Sequence, residues 1–268
     1  MSIHNMCINN KKINIDFSGD QYGVEFWKNF ESGNYEPDTI KFLESRLSSE
    51  TVFMDIGAAN GALTLFGAVL GATVRAYDPD PPIFTVLKRN IDLNSEICSK
   101  VEIFNCGVSN EEKWIEFNKN SDRGVLSEIV TAGVSGSRSK KVKILSLSHE
   151  LQIISSQHKK IIIKMDIEGA EWRIINDLAI LQSMKDAKVT MLLALHPGFY
   201  RKQRTITLGS KATLMTIRRI QNFLDSLKTF DRISHFAEIQ RTNLNSVPNR
   251  YRFAFLVFSG YYEFILEF

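Results

Sequence analysis

The sequence lacks any long hydrophobic run. Its longest apolar stretch near the centre, Val189 to Leu195, is far shorter than the roughly 18 apolar residues that a membrane-spanning helix needs. The first residues, MSIHNMCINNKK, contain no apolar segment of the kind found in signal peptides. We therefore expect a cytoplasmic protein with no transmembrane segment.

Cysteine and net charge are also low. The three cysteines among 268 residues, Cys7, Cys98 and Cys106, are widely spaced and form no paired motif, so neither a disulfide framework nor a metal site is indicated. A net charge of +3 is too small to indicate nucleic-acid binding by itself. Hydrophobic residues make up 44% and charged residues 24%, which excludes a disordered or fibrous chain.

The stretch from Thr51 to Gly71 predicts a strand, a tight loop and a helix. Val52 to Ile56 is a short apolar run of the kind found in buried parallel strands. Gly57, Ala59 and Gly61 are small, so the loop backbone can approach a ligand closely and offer its N–H groups. The following helix directs its free N–H groups at the same loop, which is typical of a nucleotide-type site.

An acid at the end of the next predicted strand supports this interpretation. Thr73 to Tyr77 is followed by Asp78, about 20 residues beyond the loop, where an acid can reach ribose hydroxyls. The alternative is purely structural: the small residues allow close packing of helix on strand, and Asp78 begins a turn before Pro79. The two signals together favour the ligand site over this alternative.

The identity of the ligand depends on the polar residues near the loop. The loop contains only two glycines, Gly57 and Gly61, whereas the loop of a dinucleotide site usually has three. Asp55 at the strand end and Asn60 in the loop suit a ligand whose end has an ammonium and a carboxylate group. S-adenosylmethionine has such an end, and we expect it as the cofactor.

Strands and helices alternate from Val52 to Leu227, which predicts an α/β fold with a doubly wound, mostly parallel sheet. Asn105 and Cys106 lie in the loop after the third strand, where an adenine ring would be placed. We expect residues 1–50 to form a helical lead-in or cap. Residues 51–268 would then form the Rossmann-like domain, with a β-rich insertion at about 113–145.

The lead-in contains one clear helix, and a second long helix is predicted late in the chain. Asp38 to Leu47 is amphipathic, and Glu36 precedes it at a position from which it can fold over the ligand loop, which makes Glu36 a candidate cofactor-binding residue. Ala212 to Leu227 has a helical pattern that predicts Leu214 on the buried face.

Two successive strands are predicted to end in ionisable residues. Lys160 to Met165 is a strongly β-branched run followed by Asp166 and Glu168, and Val189 to Leu195 is followed by His196. Because parallel strands place their carboxyl ends at one edge of the sheet, these residues are expected beside the cofactor loop.

Four segments together resemble the FkbM family of S-adenosylmethionine-dependent methyltransferases. These segments are FMDIGAANGALTLFG, AYDPDPP, LKRNIDLN and IIIKMDIEGAEWRII, and they occur in the family's order. The resemblance implies the class I methyltransferase fold, with seven strands of which the last is antiparallel. It also implies O-methylation of sugars, glycans or polyketide-type hydroxyls.

The resemblance implies roles for individual residues. Asp55, Gly57 and Gly61 would hold the methionine end of the cofactor, Asp78 the ribose, and the loop from Asn105 to Gly107 the adenine. Lys164, Asp166, Glu168 and Glu171 match the family's second signature. The family often has an acid two positions before its histidine, whereas this chain has Ala194 there and retains His196.

Proton removal from a hydroxyl acceptor requires a base, and His196 is the best-placed candidate. Asp166 or Glu168 would orient it and favour its protonated form, and Lys164 would pair with one of these acids. The alternative is that His196 only satisfies backbone groups before Pro197 while the acids cap a helix. Oxygen-rich groups such as these are also the ligands that Mg²⁺ prefers, but no tight spacing of metal ligands is present, so we do not expect a metal.

The acceptor is expected to be a small molecule or a glycan. An anionic acceptor would use the basic segment from Arg201 to Arg219. An RNA ribose 2′-O-methyltransferase is the alternative enzyme, but the aromatic residues of an RNA-binding motif are missing from the basic segment, which disfavours a nucleic-acid partner. A non-catalytic partner protein that keeps the fold is a third hypothesis.

Overall fold

The computed structural model describes residues 3–16, 18, 23–119, 127–129, 140–167, 171–174, 187–196, 211, 214–216, 218, 222, 232–236, 242–243 and 262–267. The helices are α1 (Gly23–Glu31), α2 (Pro37–Arg46), α3 (Ala62–Val69), α4 (Pro81–Asp92), α5 (Leu147–Ser155) and α6 (Glu171–Ile174). The strands are β1 (Ile3–Ile8), β2 (Lys11–Asp16), β3 (Val52–Ile56), β4 (Thr73–Tyr77), β5 (Val101–Phe104), β6 (Cys106–Ser109), β7 (Lys113–Lys119), β8 (Ser127–Ile129), β9 (Lys140–Ser146), β10 (Lys160–Met165), β11 (Lys188–Leu195), β12 (Arg232–Phe236), β13 (Thr242–Asn243) and β14 (Tyr262–Glu267).

The central sheet has the strand order β13-β12-β14-β11-β10-β3-β4-β5. The pairs from β11 to β5 are parallel, and β14 is antiparallel to both of its neighbours. The predicted mostly parallel sheet with an antiparallel last strand is therefore confirmed. The two-residue strand β13 extends the seven predicted strands at one edge.

The sheet is covered on both faces, as a doubly wound fold requires. Side chains alternate along each strand, so Met54 of β3 packs into one core while its neighbour Phe53 packs into the other. The core around Met54 includes residues of α5 and α6, and the core around Phe53 includes residues of α1 to α4. Asp55, in the same strand, is enclosed by this apolar packing.

The first 50 residues contain the predicted helix, as α2, together with α1 and an antiparallel hairpin of β1 and β2 that the sequence pattern did not predict. The hairpin is joined to α4 by polar side chains. Asn94 accepts a 2.8 Å hydrogen bond from the Asn14 N–H and donates one of 2.8 Å to the Asn14 carbonyl. Arg89 pairs with Asp16 at 3.1 Å. That this region acts as a cap stays a prediction.

Strands β7, β8 and β9 of the predicted β-rich insertion form a separate four-stranded sheet together with β6, which precedes the insertion, in the order β6-β9-β7-β8. Strands β7 and β9 are antiparallel, and β6, which directly follows the loop at Asn105, is parallel to β9. The insertion is thereby connected to the edge of the central sheet where the adenine is expected.

The late helical segment differs from its prediction. Leu214 is 66% exposed and Thr216 is fully buried, so Leu214 does not lie on the inward face. The sequence pattern was misleading because large apolar residues occur on more than one side of this segment. Most of the basic segment from Arg201 to Arg219 lies outside the described residues. Within the described residues, none of the helices has the length and apolar character needed to cross a membrane.

Candidate active site

The loop between β3 and α3 is fixed against both neighbouring strands. The Gly57 N–H donates a 3.0 Å hydrogen bond to the Tyr77 carbonyl of β4. Gly57, Ala59 and Gly61 have positive φ values of 89°, 51° and 90°. A Cβ atom on Gly57 would lie 2.0 Å from the Asp166 carbonyl oxygen, so glycine is required there by contact as well as by conformation.

Asp78 holds the loop in this conformation through its carboxylate. Its Oδ2 accepts a 3.0 Å hydrogen bond from the Ala59 N–H, and its Oδ1 accepts one of 2.9 Å from the Asp80 N–H. Burial raises the pKa of Asp78 to about 7 despite these two donors. The side chain of Asn105 donates to the Asp78 carbonyl at 2.9 Å and so connects the expected ribose and adenine positions.

Asp55 and Asn60 are almost fully buried beside the loop. Thr64 donates a 2.6 Å hydrogen bond to Asp55 Oδ2, but burial still raises the pKa of Asp55 to about 6. Asn60 Oδ1 accepts from the Ala62 N–H at 3.3 Å, and the Asn60 carbonyl accepts from Asn90 at 3.0 Å. The Asn60 side chain is thus engaged with the first turn of α3.

Cys106 is placed differently from its neighbour Asn105. Its side chain belongs to the hydrophobic core that includes α5, and burial raises the pKa of its thiol to about 12. The sulfur is therefore a packing group, and any contact of Cys106 with an adenine ring would involve its backbone.

Lys164 is the buried cation of the site. Its side chain is 4% exposed, and its Nζ lies 3.0 Å from Asp166 Oδ2 and 3.8 Å from Glu36 Oε2. Burial by itself would raise the pKa of Asp166, but the charges of Lys164 and His196 outweigh it and hold that pKa below its ordinary value. Asp166 is therefore ionised at neutral pH.

Glu36 reaches the site from the start of α2. Its backbone has a φ of 38°, in the left-handed region, and its Oε2 is buried without a hydrogen-bond partner among the described residues. The preceding Tyr35 packs edge-on against Phe26 of α1, with ring centroids 4.8 Å apart. This aromatic contact holds the Glu36 segment against α1.

His196 lies at the end of β11 between two carboxyl groups. Its Nδ1 is 2.7 Å from Glu171 Oε1 of α6, and its Nε2 is 3.5 Å from Asp166 Oδ1. The His196 backbone N–H also donates to Glu171 Oε1, at 3.2 Å. Glu171 is fully inaccessible to solvent, and this burial raises the pKa of its carboxyl group. The contact with His196 opposes that rise.

The structure brings most of the predicted residues to one edge of the sheet. The predicted residues form two groups, and Gly57 of the first group lies close to Asp166 of the second. The loop group consists of Asp55, Gly57, Ala59, Asn60, Gly61, Asp78 and Asn105. The strand-end group consists of Glu36, Lys164, Asp166 and His196. Glu168 lies outside the described residues. In the described part of the chain, no group of three or more His, Cys, Asp or Glu side chains is arranged to hold a metal ion.

Comparison with protein families gives a decisive match. The model of the methyltransferase FkbM domain matches residues 55–225, which is more than half of the chain and includes every residue of the two groups except Glu36. The chain belongs to the FkbM methyltransferase family. The predicted family and its cofactor, S-adenosylmethionine, are thereby confirmed.

Solved structures similar to this FkbM protein are distant in sequence. An O-methyltransferase from Bacillus cereus in complex with SAH is 14% identical, with 91% of this chain and 86% of that chain covered and a TM-score of 0.44. The SAH complex of SMU.1697c from Streptococcus mutans is 11% identical, with 87% and 97% covered and a TM-score of 0.44. TYW2 of P. horikoshii in complex with MeSAdo is 14% identical, with 99% and 70% covered and a TM-score of 0.40. Among curated proteins, none matches this sequence.

The residues of this FkbM protein fit the cofactor chemically. The buried Glu36 Oε2 has no hydrogen-bond donor in the described structure, and an ammonium group would supply one. Asp55 and Asp78 add two more carboxyl groups near the loop between β3 and α3. A site with several buried acids and one lysine suits a ligand that has an ammonium and a sulfonium charge.

Two residues of the site had no role assigned from the sequence. Glu171, noted only as part of the family's second signature, contacts His196, and Asn90, which was not a candidate, contacts the loop through Asn60. A signal for Glu171 was present, because it is an acid directly before the apolar residues of a helix start. Asn90 and Asn94 in LKRNIDLN are four residues apart on one helix face, which indicates a shared buried partner.

Proposed function

We propose that this FkbM protein is an O-methyltransferase that acts on a hydroxyl group of a sugar, a glycan or a polyketide-type natural product. The observation that carries the proposal is the position of His196, which has one ring nitrogen on a buried carboxyl group and the other directed towards Asp166 beside the cofactor loop. A hydroxyl acceptor needs a base in this place, whereas the cofactor site alone would serve any acceptor.

The cofactor residues have distinct tasks in this proposal. The backbone of Gly57 to Gly61, with Asp55 and Glu36, would hold the methionine end. Asp78 would accept hydrogen bonds from the ribose hydroxyls. Asn105 would border the adenine. When bound, the cofactor supplies a methyl group on a positively charged sulfur.

His196 would receive the acceptor's proton at Nε2. The carboxyl groups of Glu171 and Asp166 stabilise the positive charge that the ring gains in this step. Lys164 would keep Asp166 ionised and in place, because its ammonium group lies 3.0 Å from that carboxylate. Lys164 is thus a positioning residue, and His196 is the group that contacts the acceptor.

The proposal is tested by incubating the protein with methyl-labelled S-adenosylmethionine and separate panels of free sugars, sugar nucleotides, polyketide alcohols and RNA. We expect label on an oxygen of a small-molecule or glycan acceptor, located by mass spectrometry. Transfer to a nitrogen or carbon atom would overturn the proposal, and transfer to RNA alone would establish the ribose 2′-O-methyltransferase instead.

A pair of variants separates binding from catalysis. His196→Ala should keep the affinity for S-adenosylmethionine and lower turnover by about 10²–10⁴-fold, the usual contribution of a general base. His196→Gln keeps hydrogen bonding but accepts no proton at neutral pH. A turnover of His196→Gln close to that of the natural protein would exclude His196 as the base.

A further inference from the structure

Glu171 contacts His196 twice through a single oxygen. Its Oε1 lies 2.7 Å from the ring Nδ1 and 3.2 Å from the backbone nitrogen of the same residue. Glu171 is fully inaccessible to solvent, and its second oxygen, Oε2, is buried without a hydrogen-bond partner among the described residues. Burying a carboxyl group costs free energy unless hydrogen bonds compensate for the lost water, and the two contacts of Oε1 with His196 provide such bonds.

The backbone contact decides which atom is the donor in the ring contact. A backbone N–H can only donate, so Oε1 of Glu171 must act as an acceptor. An oxygen that carried the acid proton would be a poor acceptor for that N–H. The proton of the short contact with the ring therefore lies on Nδ1 of His196, and Oε1 accepts both hydrogen bonds.

The other ring nitrogen, Nε2, is not held by Asp166 at hydrogen-bond distance. Nε2 lies 3.5 Å from Asp166 Oδ1, longer than the roughly 2.7–3.2 Å of an N–H···O hydrogen bond. Asp166 Oδ2 is engaged by Lys164 at 3.0 Å, which keeps Asp166 an acceptor and not a donor. With Nδ1 protonated, a neutral His196 has its lone pair on Nε2, at the edge where β3, β10 and β11 end.

We propose that Glu171 is a positioning residue that holds His196 in the Nδ1–H tautomer, so that Nε2 is the nitrogen that accepts a proton. The proposal extends the proposed function, because it explains how His196 serves as a base. It assigns the orienting role to an acid on the other side of the ring from Asp166, whereas Asp166 or Glu168 was predicted for that role from the sequence. Glu171 lies on α6, which packs against β11, and His196 directly follows β11, so the same hydrogen bonds also join α6 to the end of β11.

The test is nitrogen NMR of protein labelled at histidine, without any acceptor. The chain has five histidines, and the signals of His196 are those missing from His196→Gln. The pH is raised until one ring nitrogen of His196 loses its proton. We expect Nε2 to become the unprotonated nitrogen and Nδ1 to keep its proton. Loss of the proton from Nδ1 would overturn the proposal.

Three variants assign the effect to Glu171. Glu171→Leu should release the ring, so that the Nε2–H tautomer becomes populated. Glu171→Gln should keep the Nδ1–H tautomer, because its amide oxygen can still accept both hydrogen bonds. Asp166→Asn, on the other side of the ring, should also leave the tautomer unchanged. An unchanged tautomer in Glu171→Leu would overturn the assignment, and if that variant does not fold, the measurement on the natural chain still decides the tautomer.

Turnover is measured separately, with any acceptor found in the labelling screen. Glu171→Gln should lower kcat, by no more than the roughly 10²–10⁴-fold that a general base contributes, and leave KM and cofactor affinity unchanged. If the Nδ1–H tautomer is found but no hydroxyl is methylated, the proposed function fails and the positioning role stands. If a hydroxyl is methylated but Nδ1 loses the proton, the positioning role fails.

Discussion

The side-chain amide of Asn90 donates a 3.0 Å hydrogen bond to the backbone carbonyl of Asn60, and so joins α4 to the cofactor loop. Asn90 Oδ1 accepts a 3.2 Å hydrogen bond from the Asp16 N–H of the N-terminal hairpin. Asn90 is fully buried, so water cannot easily replace its side chain as a hydrogen-bond partner of these two groups. One side chain thus connects the hairpin, a helix and the loop.

Asn90→Leu should lower both stability and cofactor affinity. It removes one hydrogen bond from each of two buried backbone groups, which costs about 1–3 kcal/mol of the free energy of unfolding. The dissociation constant for S-adenosylmethionine should rise roughly tenfold for each 1.4 kcal/mol of loop stabilisation lost. Asn94→Leu is the matched control, because Asn94 binds Asn14 of the hairpin and no residue of the loop. Calorimetry and urea unfolding would contradict the prediction if both variants weakened binding equally.

Asp55→Asn should stabilise the protein and weaken cofactor binding. Burial raises the pKa of Asp55 from 3.8 to about 6, so the folded state binds more protons than the unfolded state between about pH 4 and pH 6. Stability of the natural protein therefore falls as pH rises through this window. The variant lacks this fall and should be more stable at pH 7 by on the order of 1–3 kcal/mol.

The Thr64 hydrogen bond survives in this variant, because the asparagine oxygen can accept it. Cofactor affinity should drop because one carboxylate is lost. Unfolding curves at several pH values and calorimetry measure the two effects, with the exposed Asp92→Asn as the control. A pH profile of Asp55→Asn that matches the natural protein would contradict the assigned pKa.

Gly57→Ala should be far more harmful than Gly33→Ala. Both glycines have positive φ, 89° and 75°, and a non-glycine residue in this region costs roughly 1–2 kcal/mol. Only at Gly57 would the added Cβ meet backbone, 2.0 Å from the Asp166 carbonyl, whereas nothing lies within 4 Å at Gly33. We expect Gly33→Ala to show the conformational cost alone and Gly57→Ala to lose cofactor binding as well. Equal losses of stability and equal affinities would refute the close approach of β3 and β10.

Lys164→Met should reduce stability strongly at neutral pH and less at acidic pH. Removing the partner of a buried ion pair costs about 3–5 kcal/mol, because Asp166 and Glu36 lose their cation. The lowered pKa of Asp166 contributes stability above its unfolded pKa, and this contribution is lost as pH falls through its folded pKa. The variant's deficit should therefore shrink as the acids become protonated. Lys160→Met is the control, because Lys160 lies on the same strand as Lys164 but forms an exposed ion pair, with Glu50. This variant should change the stability little at any pH.

The fold was largely predictable because its strands are buried on both faces. Val52 to Ile56 and Lys160 to Met165 are nearly continuous apolar runs, and their predicted bounds agree with β3 and β10. The hairpin of β1 and β2 was not predicted, because its exposed strand positions alternate weakly and its polar partner Asn94 lies about 80 residues away, just after α4. Leu214 was misplaced because an apolar residue on a helix marks the core only when neighbouring elements cover it.

The site was predictable in its members and less so in its contacts. Parallel topology alone places Asp55, Lys164 and His196 at neighbouring strand ends. Which acid holds the histidine depends on how α6 packs against β11, and that packing is a tertiary property of residues 25 positions apart. The sulfur of Cys106 illustrates the same limit, because a two-residue alternation decides whether a strand-end side chain enters the core or the site.

The order of strands also has a consequence for synthesis of the chain on the ribosome. β14 lies between β11 and β12 and pairs with both, although it is the last described strand to be made. Until residues 262–267 emerge, β11 has an unpaired edge that consists almost entirely of buried apolar residues. A nascent chain that has already completed β3, β4 and β10 therefore still exposes an unpaired, aggregation-prone strand edge directly beside His196. Chaperones should bind mainly at this edge until β14 has been translated.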